Sequence, residues 1–398
     1  MNRLSETFKP ESNYKTFFLS MVTFGLSYGL YKGVLDNFLA DVVSMSAFDK
    51  GVSEFFRELP GLALVFILAG LYMLSAEQIY KIGAVIMMAG MFMHAVVPVR
   101  MAYVIAAIFV YSLGEHIQLG MRSTLSLQYS KEGHGGSALG LQNAVYQAGT
   151  LIGYVTIIGI FSFLSGSLGL YRRVFTASAA IIFIGLIASL KMTGKSHADE
   201  TKRRFYFRRK YSKYYMLEVF YGARKQIFFT FGPYVLVLFY GANAMVISIL
   251  FAVSSICTFF AAPLVGKIID RFGYKIVMIM DTLILVIVCF FYGFAHHLFP
   301  MSVAFIVCCV NYILDSVISL ASIASNVYVQ DLAESQDEVR ATISTGMSVN
   351  HLITILIALF GGWIWQTLGI ETLFILSAIL GLCNSAYAAT IKTGPRRK

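Results

Sequence analysis

Three of the carboxylates inside long apolar stretches of this sequence are placed to do proton chemistry. Glu115 and Asp315 each lie near the centre of a stretch, and Asp36 lies toward the end of the first one. A carboxyl group in a medium of low dielectric constant can take up and release protons near neutral pH. These three residues are therefore candidates for coupling proton movement to another process.

Basic residues on the same predicted helices offer an alternative, in which the charges only neutralise each other. Lys32 and Asp36 are one helical turn apart, and Arg122 lies seven residues after Glu115 on the same face. Charged side chains at bilayer depth are costly unless they pair or line a wet cavity. The sequence leaves proton coupling and static pairing open for both acids.

The second stretch opens with Glu54, Arg57 and Glu58, spaced so that they share one face of a helix. Opposite charges at this spacing predict an ion-pair network within the helix. A gate near one membrane surface is the functional alternative.

Polar side chains in the apolar stretches could bind a polar or charged solute. Arg224 has the planar guanidinium that binds a carboxylate or phosphate through two hydrogen bonds. Its alternative role is a counter-charge for Asp315 or Asp36, with Glu218 serving the adjacent Lys225. The candidate substrate-binding residues are Tyr28, Lys32, Gln142, Gln147, Arg224, Gln226, Asn311, Ser319 and Asn350.

The elements that carry these residues are predicted to be membrane-spanning helices. The chain has 398 residues, of which 58% are hydrophobic and only 13% charged, whereas soluble proteins carry about 25% charged residues. Apolar stretches of about 20 residues predict spanning helices, and the first is too long for a cleaved signal peptide. The twelve stretches are 15–40, 52–75, 79–97, 101–128, 137–163, 172–191, 214–240, 243–265, 275–295, 300–327, 340–364 and 369–390. On the tenth, Asp315, Ser319 and Ser322 are predicted to share a face.

A basic segment, Lys191 to Lys213, divides the stretches six and six. It predicts a helical bundle at 1–193, a cytoplasmic linker at 194–213 and a second bundle at 214–398. The linker either lies on anionic lipid or serves only to retain positive charge in the cytoplasm. Most Lys and Arg fall on the side of the two termini, which predicts cytoplasmic termini. The net charge of +10 thus reports topology and requires no nucleic acid.

The loop after the eighth stretch carries the pattern G-x-x-x-D-R-x-G-x-K at 266–275. This pattern resembles the loop signature of the major facilitator superfamily. The resemblance implies twelve helices in two pseudo-symmetric bundles. It also implies that Asp270 and Arg271 belong to a cytoplasmic charge cluster that stabilises the outward-facing state. The gating residues it suggests are Gly266, Asp270, Arg271, Gly273 and Lys275. Between the second and third stretches, the corresponding loop at 75–83 keeps only part of the pattern.

The fifth stretch contains no proline, so the Gly-Pro element of the family's drug–proton antiporters is absent. Gly149 and Gly153 keep a spacing of small residues that suits close helix packing. The five cysteines lack metal-ligand spacing, so we expect no disulfide and no metal site. No nucleotide-binding loop or hydrolase motif is present, and we expect neither a cofactor nor an enzymatic activity.

The residues and the resemblance together predict a monomeric secondary active transporter in a bacterial plasma (inner) membrane. It would move a small polar or anionic organic solute by alternating access, with protons as the coupling ion. A uniporter or a lipid or drug exporter of the same fold is one alternative. A non-transporting receptor or scaffold is another, although a scaffold has no need for charges such as Glu115, Arg224 and Asp315 at mid-membrane.

Overall fold

The computed structural model describes residues 6–71, 73–194 and 207–391. Some of the basic residues from which the cytoplasmic side was predicted lie outside the described residues. They are Arg3, the basic residues of the linker within 195–206 and those of the tail 392–398. The side chain of Arg340 also lies outside them.

Helices make up almost all of the described chain, which confirms the all-α class. In chain order they are α1 (Tyr14–Asn37), α2 (Ala47–Gly70), α3 (Ala76–Val96), α4 (Met101–Tyr129), α5 (Gly135–Phe163), α6 (Leu168–Leu190), α7 (Ser212–Leu238), α8 (Ala244–Phe272), α9 (Tyr274–Leu298), α10 (Met301–Ile318), α11 (Ile323–Leu332), α12 (Gln336–Leu368) and α13 (Ile370–Ala389). A 3₁₀ turn, Ser319–Ser322, joins α10 to α11. When these two are counted as one span, each predicted stretch corresponds to one helix.

Within the described ranges, nine spans are long and apolar enough to cross a membrane. The long helices outside this set are α1, α2 and α7, which carry much of the charge found in helix interiors. Charged residues lower the mean hydropathy of a helix. Two helices with a weak membrane signal thus carry candidate functional residues: α1 carries Lys32 and Asp36, and α7 carries Arg224.

Two local expectations were wrong. The loop predicted at 266–275 is mostly helix, because α8 continues to Phe272 and α9 begins at Tyr274. Gly273 separates the two helices and has a φ of +88°, a conformation that favours glycine. Gly266 lies within α8 and does not end it. The α-helical face predicted for Asp315, Ser319 and Ser322 is interrupted, because the 3₁₀ turn has three residues per turn and shifts the side chains that follow it.

The chain packs as two compact units. The first comprises Met1–Ser44, Phe56–Lys202 and Asn243–Ala252, and the second comprises Met45–Phe55, Arg203–Ala242 and Val253–Lys398. These units are defined by packing density, and the division into bundles at 1–193 and 214–398 stays a prediction.

Glycines bring the backbones of α1 and α5 into direct contact in the first unit. A Cβ added at Gly149 would meet the backbone of Val22, and one added at Gly153 would meet the backbones of Leu26 and Gly29. The close packing predicted from the Gly149–Gly153 spacing is therefore confirmed. Such contacts rest on van der Waals attraction between backbones, which is the main source of helix association where lipid surrounds the protein.

Substitution of Gly153 by valine should destabilise this interface. The added side chain must displace the backbone of α1, and overpacking of this kind costs about 1–3 kcal/mol. We expect the fraction of monodisperse protein that survives heating in detergent to fall at a lower temperature than in the wild type. Size-exclusion chromatography after a temperature series measures this.

Gly159→Val is the matched control, because Gly159 lies on the same helix with open space where its Cβ would stand. Both variants carry the same change in helix propensity. Equal losses in the two would show that the Gly153 contact contributes nothing beyond propensity.

Candidate functional site

Two ion pairs lie within helices of the first unit. Lys32 Nζ is 3.3 Å from Asp36 Oδ2 in α1, and both side chains are almost fully buried. Arg57 pairs with Glu58 in α2. The predicted pairing of Lys32 with Asp36 is present. Of the network predicted in the second stretch, the structure has the pair Arg57–Glu58, whereas Glu54 pairs with Lys50 at 2.8 Å.

Glu115 lies at the middle of α4, as the sequence predicted, and is half-buried. The charges of Arg57 and Arg122 act on it, as do those of Glu58 and Lys32. Among the described residues no ion pair joins Glu115 directly to a cation. Direct pairing of Glu115 with Arg122, one of the two alternatives that the sequence leaves open, is therefore not formed in the described residues.

Arg122 is buried, with 6% of its surface exposed, and its guanidinium carbon lies 4.1 Å from the ring centroid of Tyr146. Stacking on an aromatic ring supports a guanidinium without neutralising it. In the described part of the chain, no carboxylate lies within salt-bridge distance of Arg122, and its Nε atom has no hydrogen-bond partner. Arg122 thus keeps a positive charge that could meet a negative group of a ligand.

Polar and aromatic residues of α1 and α5 accompany Arg122. The rings of Tyr28 and Tyr146 lie 6.1 Å apart. Gln142, one turn before Tyr146, is buried, and its Oε1 atom has no hydrogen-bond partner among the described residues. Gln147 is exposed and does not join this group.

A buried ion pair joins two helices of the second unit. Arg224 of α7 pairs with Asp281 of α9, and these residues are only 3% and 6% exposed. Asp281 therefore takes the place of the partners predicted for Arg224, which were Asp315, Asp36 or a ligand. The signal was available, because Asp281 is an isolated acid in an otherwise apolar stretch.

Asp315 lies near the middle of the α10–α11 span and is buried. The charges of Arg224, Lys225 and Asp281 act on it, without a direct ion pair in the described residues. Asp315 is thus a second buried carboxylate near the Arg224–Asp281 pair. Its central position agrees with the prediction from the sequence.

A small cavity in the second unit borders the Arg224–Asp281 pair. It is lined by Asp281, Tyr221, Ser322, Ser325, Asn384, Leu217, Met278 and Ala321. The Tyr221 hydroxyl donates to the backbone carbonyl of Ser319 at 2.7 Å, and the Oδ1 atom of Asn384 is buried without a partner among the described residues. This cavity is polar on one side and too small for an organic solute.

Several predicted substrate-binding residues of the second unit are occupied by protein partners. Asn350 Nδ2 lies 3.4 Å from Glu218 Oε2, and Ser325 donates to the same carboxylate at 3.0 Å. Glu218 therefore does not serve as the predicted ion-pair partner of Lys225, which is exposed. Gln226 donates to the hydroxyl of Thr230 at 2.8 Å and Asn311 to the carbonyl of Val307 at 2.8 Å. Ser319 contributes its backbone carbonyl to the bond from Tyr221.

The predicted gating residues lie at the junction of α8 and α9. Asp270 is exposed, and in the described ranges it makes no hydrogen bond or ion pair. Arg271 lies over the ring of Phe272, and Lys275 donates to the backbone carbonyl of Ile391 at 2.9 Å. The charge cluster that the resemblance implied is therefore not formed around Asp270 within the second unit.

A different charge cluster holds the end of the linker against the start of α12. Lys210 Nζ lies 3.0 Å from Glu334 Oε1 and 3.6 Å from Glu338 Oε1, and Arg208 approaches Glu338 at 3.9 Å. The hydrogen bond to Glu334 raises the pKa of Lys210 above its usual value. From the sequence, Arg208 and Lys210 were predicted only as part of the linker.

The chain was compared with known protein families, curated sequences and solved structures. Residues 214–398 match the family model described as Major Facilitator Superfamily. No curated protein matches the chain by sequence.

Solved structures resemble the whole chain. A point mutant of the nucleoside transporter NupG has a TM-score of 0.74 at 17% sequence identity, and the match covers 96% of this chain and 100% of that one. A D-xylose–proton symporter has a TM-score of 0.71 at 14% identity, with 95% and 98% covered. A POT family transporter in complex with 5-aminolevulinic acid has a TM-score of 0.71 at 11% identity, with 94% and 95% covered. At these identities the likeness establishes the fold.

Proposed function

Since the chain belongs to the major facilitator superfamily, we propose that it is a secondary active transporter that couples proton movement to a small polar or anionic organic solute. It is a multi-pass membrane protein. Our proposal places it in the inner (plasma) membrane as a monomer, with both termini in the cytoplasm. We further propose that the two predicted six-helix bundles rock against each other, so that the solute site opens alternately to the two sides of the membrane.

The observation that carries this proposal is the balance of charge in the first unit. Lys32 is paired with Asp36 and Arg57 with Glu58, whereas Glu115 and Arg122 have no direct ion pair with each other. The negative charge of Glu115 therefore attracts the positive charge of Arg122 from a distance, without a direct ion pair between them. When Glu115 binds a proton, its negative charge is lost. The positive charge of Arg122 can then attract an anionic ligand.

This arrangement couples the two bound species. With Glu115 ionised, an anionic group near Arg122 is repelled by the carboxylate. With Glu115 protonated, the same group meets a buried cation that lies on Tyr146. Proton binding therefore favours solute binding, which is the requirement for symport.

In the second unit, the buried arginine is already paired with a carboxylate. Arg224 is neutralised by Asp281, so an anionic solute reaches it only if Asp281 is displaced. We assign the primary anion-binding role to Arg122, with Lys32, Tyr28 and Gln142 in the same unit. Arg224, Gln147, Gln226, Asn311, Ser319 and Asn350 remain proposed as secondary contacts. Asp315 and Asp36 are the proposed further sites of proton binding.

The related folds suggest which solutes to test. The names of the solved structures include a nucleoside transporter, a D-xylose–proton symporter and a transporter bound to 5-aminolevulinic acid. The charge at Arg122 favours the class that carries a carboxylate. A thermal-shift screen of purified protein with carboxylates, nucleosides and pentoses selects the ligand to be labelled.

Transport is then measured in proteoliposomes with an imposed pH gradient. We expect the labelled solute to accumulate when the proton gradient is directed into the lumen, and to stop accumulating when an ionophore dissipates it. Equilibration without accumulation would indicate a uniporter. Stabilisation by a ligand with no flux in either direction would instead indicate a receptor.

The Asp270–Arg271 pair of the α8–α9 junction is proposed to act as a cytoplasmic latch. Since Asp270 is exposed and has no partner within the described part of its own unit, its carboxylate is available to a cation in one transport state. Asp270→Asn should slow transport several-fold and increase labelling of a cysteine introduced in the cytoplasmic half of the solute pathway. Initial rates and labelling with a maleimide measure the two effects.

Lys267→Gln is the matched control, because it alters one exposed charge at the same end of α8. Equal effects of both variants, or no effect of Asp270→Asn, would mean that the junction serves only as a turn.

A further inference from the structure

A cluster of metal-ligating side chains lies at the end of α9 opposite Gly273. His296 and His297 occupy the last turn of α9, and Glu371 occupies the first turn of α13. One ligand atom from each of the three lies within 4.8 Å of the others. We propose that His296, His297 and Glu371 form a binding site for a divalent transition metal such as Zn²⁺.

The distances agree with a shared metal ion. His296 Nε2 lies 3.2 Å and His297 Nε2 lies 2.8 Å from the same oxygen, Glu371 Oε1. Zinc binds histidine nitrogen and carboxylate oxygen at about 2.0–2.2 Å, so neighbouring ligand atoms of a tetrahedral site are about 3.3 Å apart. The three atoms therefore need to move only slightly to coordinate one ion.

The backbone holds Glu371 in this position. Gly369 precedes α13 with a φ of +92°, and a Cβ at this residue would contact Glu371 Oε2. A side chain at position 369 would thus push the carboxylate away from the histidines. The N-terminus of α13 also favours a carboxylate in its first turn.

The two histidine rings lie side by side, with their centroids 3.9 Å apart. Both rings direct Nε2 at the same oxygen of Glu371, so the two imidazoles are placed to share one ion. Two His and one Glu leave a fourth tetrahedral position open, which is typical of sites that bind water or an exchangeable ligand.

The exposure of the cluster indicates a site filled from solution. The His297 side chain is 57% exposed, the Glu371 side chain 28% and the His296 side chain 13%. His296 Nδ1 is buried and has no partner among the described residues, so the metal lacks the outer hydrogen bond that strengthens many histidine ligands. We therefore expect moderate, reversible affinity. An ion bound here connects α9 to α13 within the second unit.

The experiment uses the full chain, purified without a histidine tag, and titrates it with zinc chloride in a calorimeter. We expect one zinc site in the wild type and an affinity at least about tenfold lower in His297→Gln and Glu371→Gln. Bound Co²⁺ should show the visible absorption of a tetrahedral ion, and this absorption should be lost in the same variants. The site does not depend on the proposed transport function, so its test stands even without a known solute.

His134→Gln is the matched control, because His134 is an exposed histidine of the first unit, remote in sequence from the cluster. Its zinc affinity should equal that of the wild type. Zinc binding that is absent from the wild type, or that is unchanged in His297→Gln, would overturn the proposal. If Glu371→Gln does not elute as a folded monomer, His297→Gln decides, since its largely exposed side chain contributes little to the fold.

Discussion

Replacement of Glu115 by glutamine should abolish accumulation driven by a proton gradient while solute exchange across the membrane continues. Glutamine keeps the size and the hydrogen-bonding groups of the side chain and removes its ability to exchange a proton. The permanently neutral side chain leaves the charge of Arg122 unbalanced, as in the proposed proton-bound state. Solute should therefore still bind and exchange, without a link to the gradient.

The measurement compares two assays on the same proteoliposomes. Accumulation under an imposed pH gradient should fall at least tenfold in Glu115→Gln, and exchange of labelled for unlabelled solute should stay within a few-fold of the wild type. Glu132→Gln is the control, because Glu132 is an exposed acid in the loop after α4. Asp315→Asn tests the second buried acid in the same way. Accumulation that survives in both Glu115→Gln and Asp315→Asn would exclude these two residues as the coupling sites.

Breaking the Arg224–Asp281 pair from one side should destabilise the protein more than removing both charges. Asp281→Asn leaves a buried guanidinium without a counter-charge, and loss of one partner of a buried pair typically costs about 3–5 kcal/mol. The double variant Arg224→Gln/Asp281→Asn leaves two neutral groups that can hydrogen-bond to each other. We expect the heat resistance of the double variant to lie close to that of the wild type, and that of Asp281→Asn to lie well below both.

Heating followed by size-exclusion chromatography measures this series, with Lys225→Gln as the control for an adjacent but exposed cation. The double variant also separates stability from recognition. If it is stable and still binds an anionic solute with unchanged affinity, Arg224 does not contact the solute. If the single and double variants are equally unstable, the two charges do not act as a pair.

Hydropathy was sufficient to predict the helices, because a bilayer permits only segments that satisfy their own backbone hydrogen bonds. The pair Lys32–Asp36 was also predictable, since both residues lie one turn apart on one helix. Glycine spacing predicted the contact at Gly149 and Gly153 for the same reason, because periodicity within a helix is a local property.

Contacts between helices distant in sequence were not predictable in the same way. Asp281 pairs with Arg224 across 57 residues, and His296 meets Glu371 across 75. A hydropathy pattern records which residues share a helix face but not which faces meet. The 3₁₀ turn at Ser319–Ser322 was missed because its sequence carries neither proline nor glycine to mark it.

The glycine contact between α1 and α5 has a consequence for how the protein responds to its surroundings. Lipid tails cannot enter between backbones that already touch at Gly149 and Gly153. The attraction there does not arise from the exclusion of water, so it keeps its strength when detergent replaces lipid and does not fade on cooling as burial of apolar surface does. Extraction from the membrane should therefore loosen interfaces built from large flexible side chains first and leave α1 and α5 together to the last.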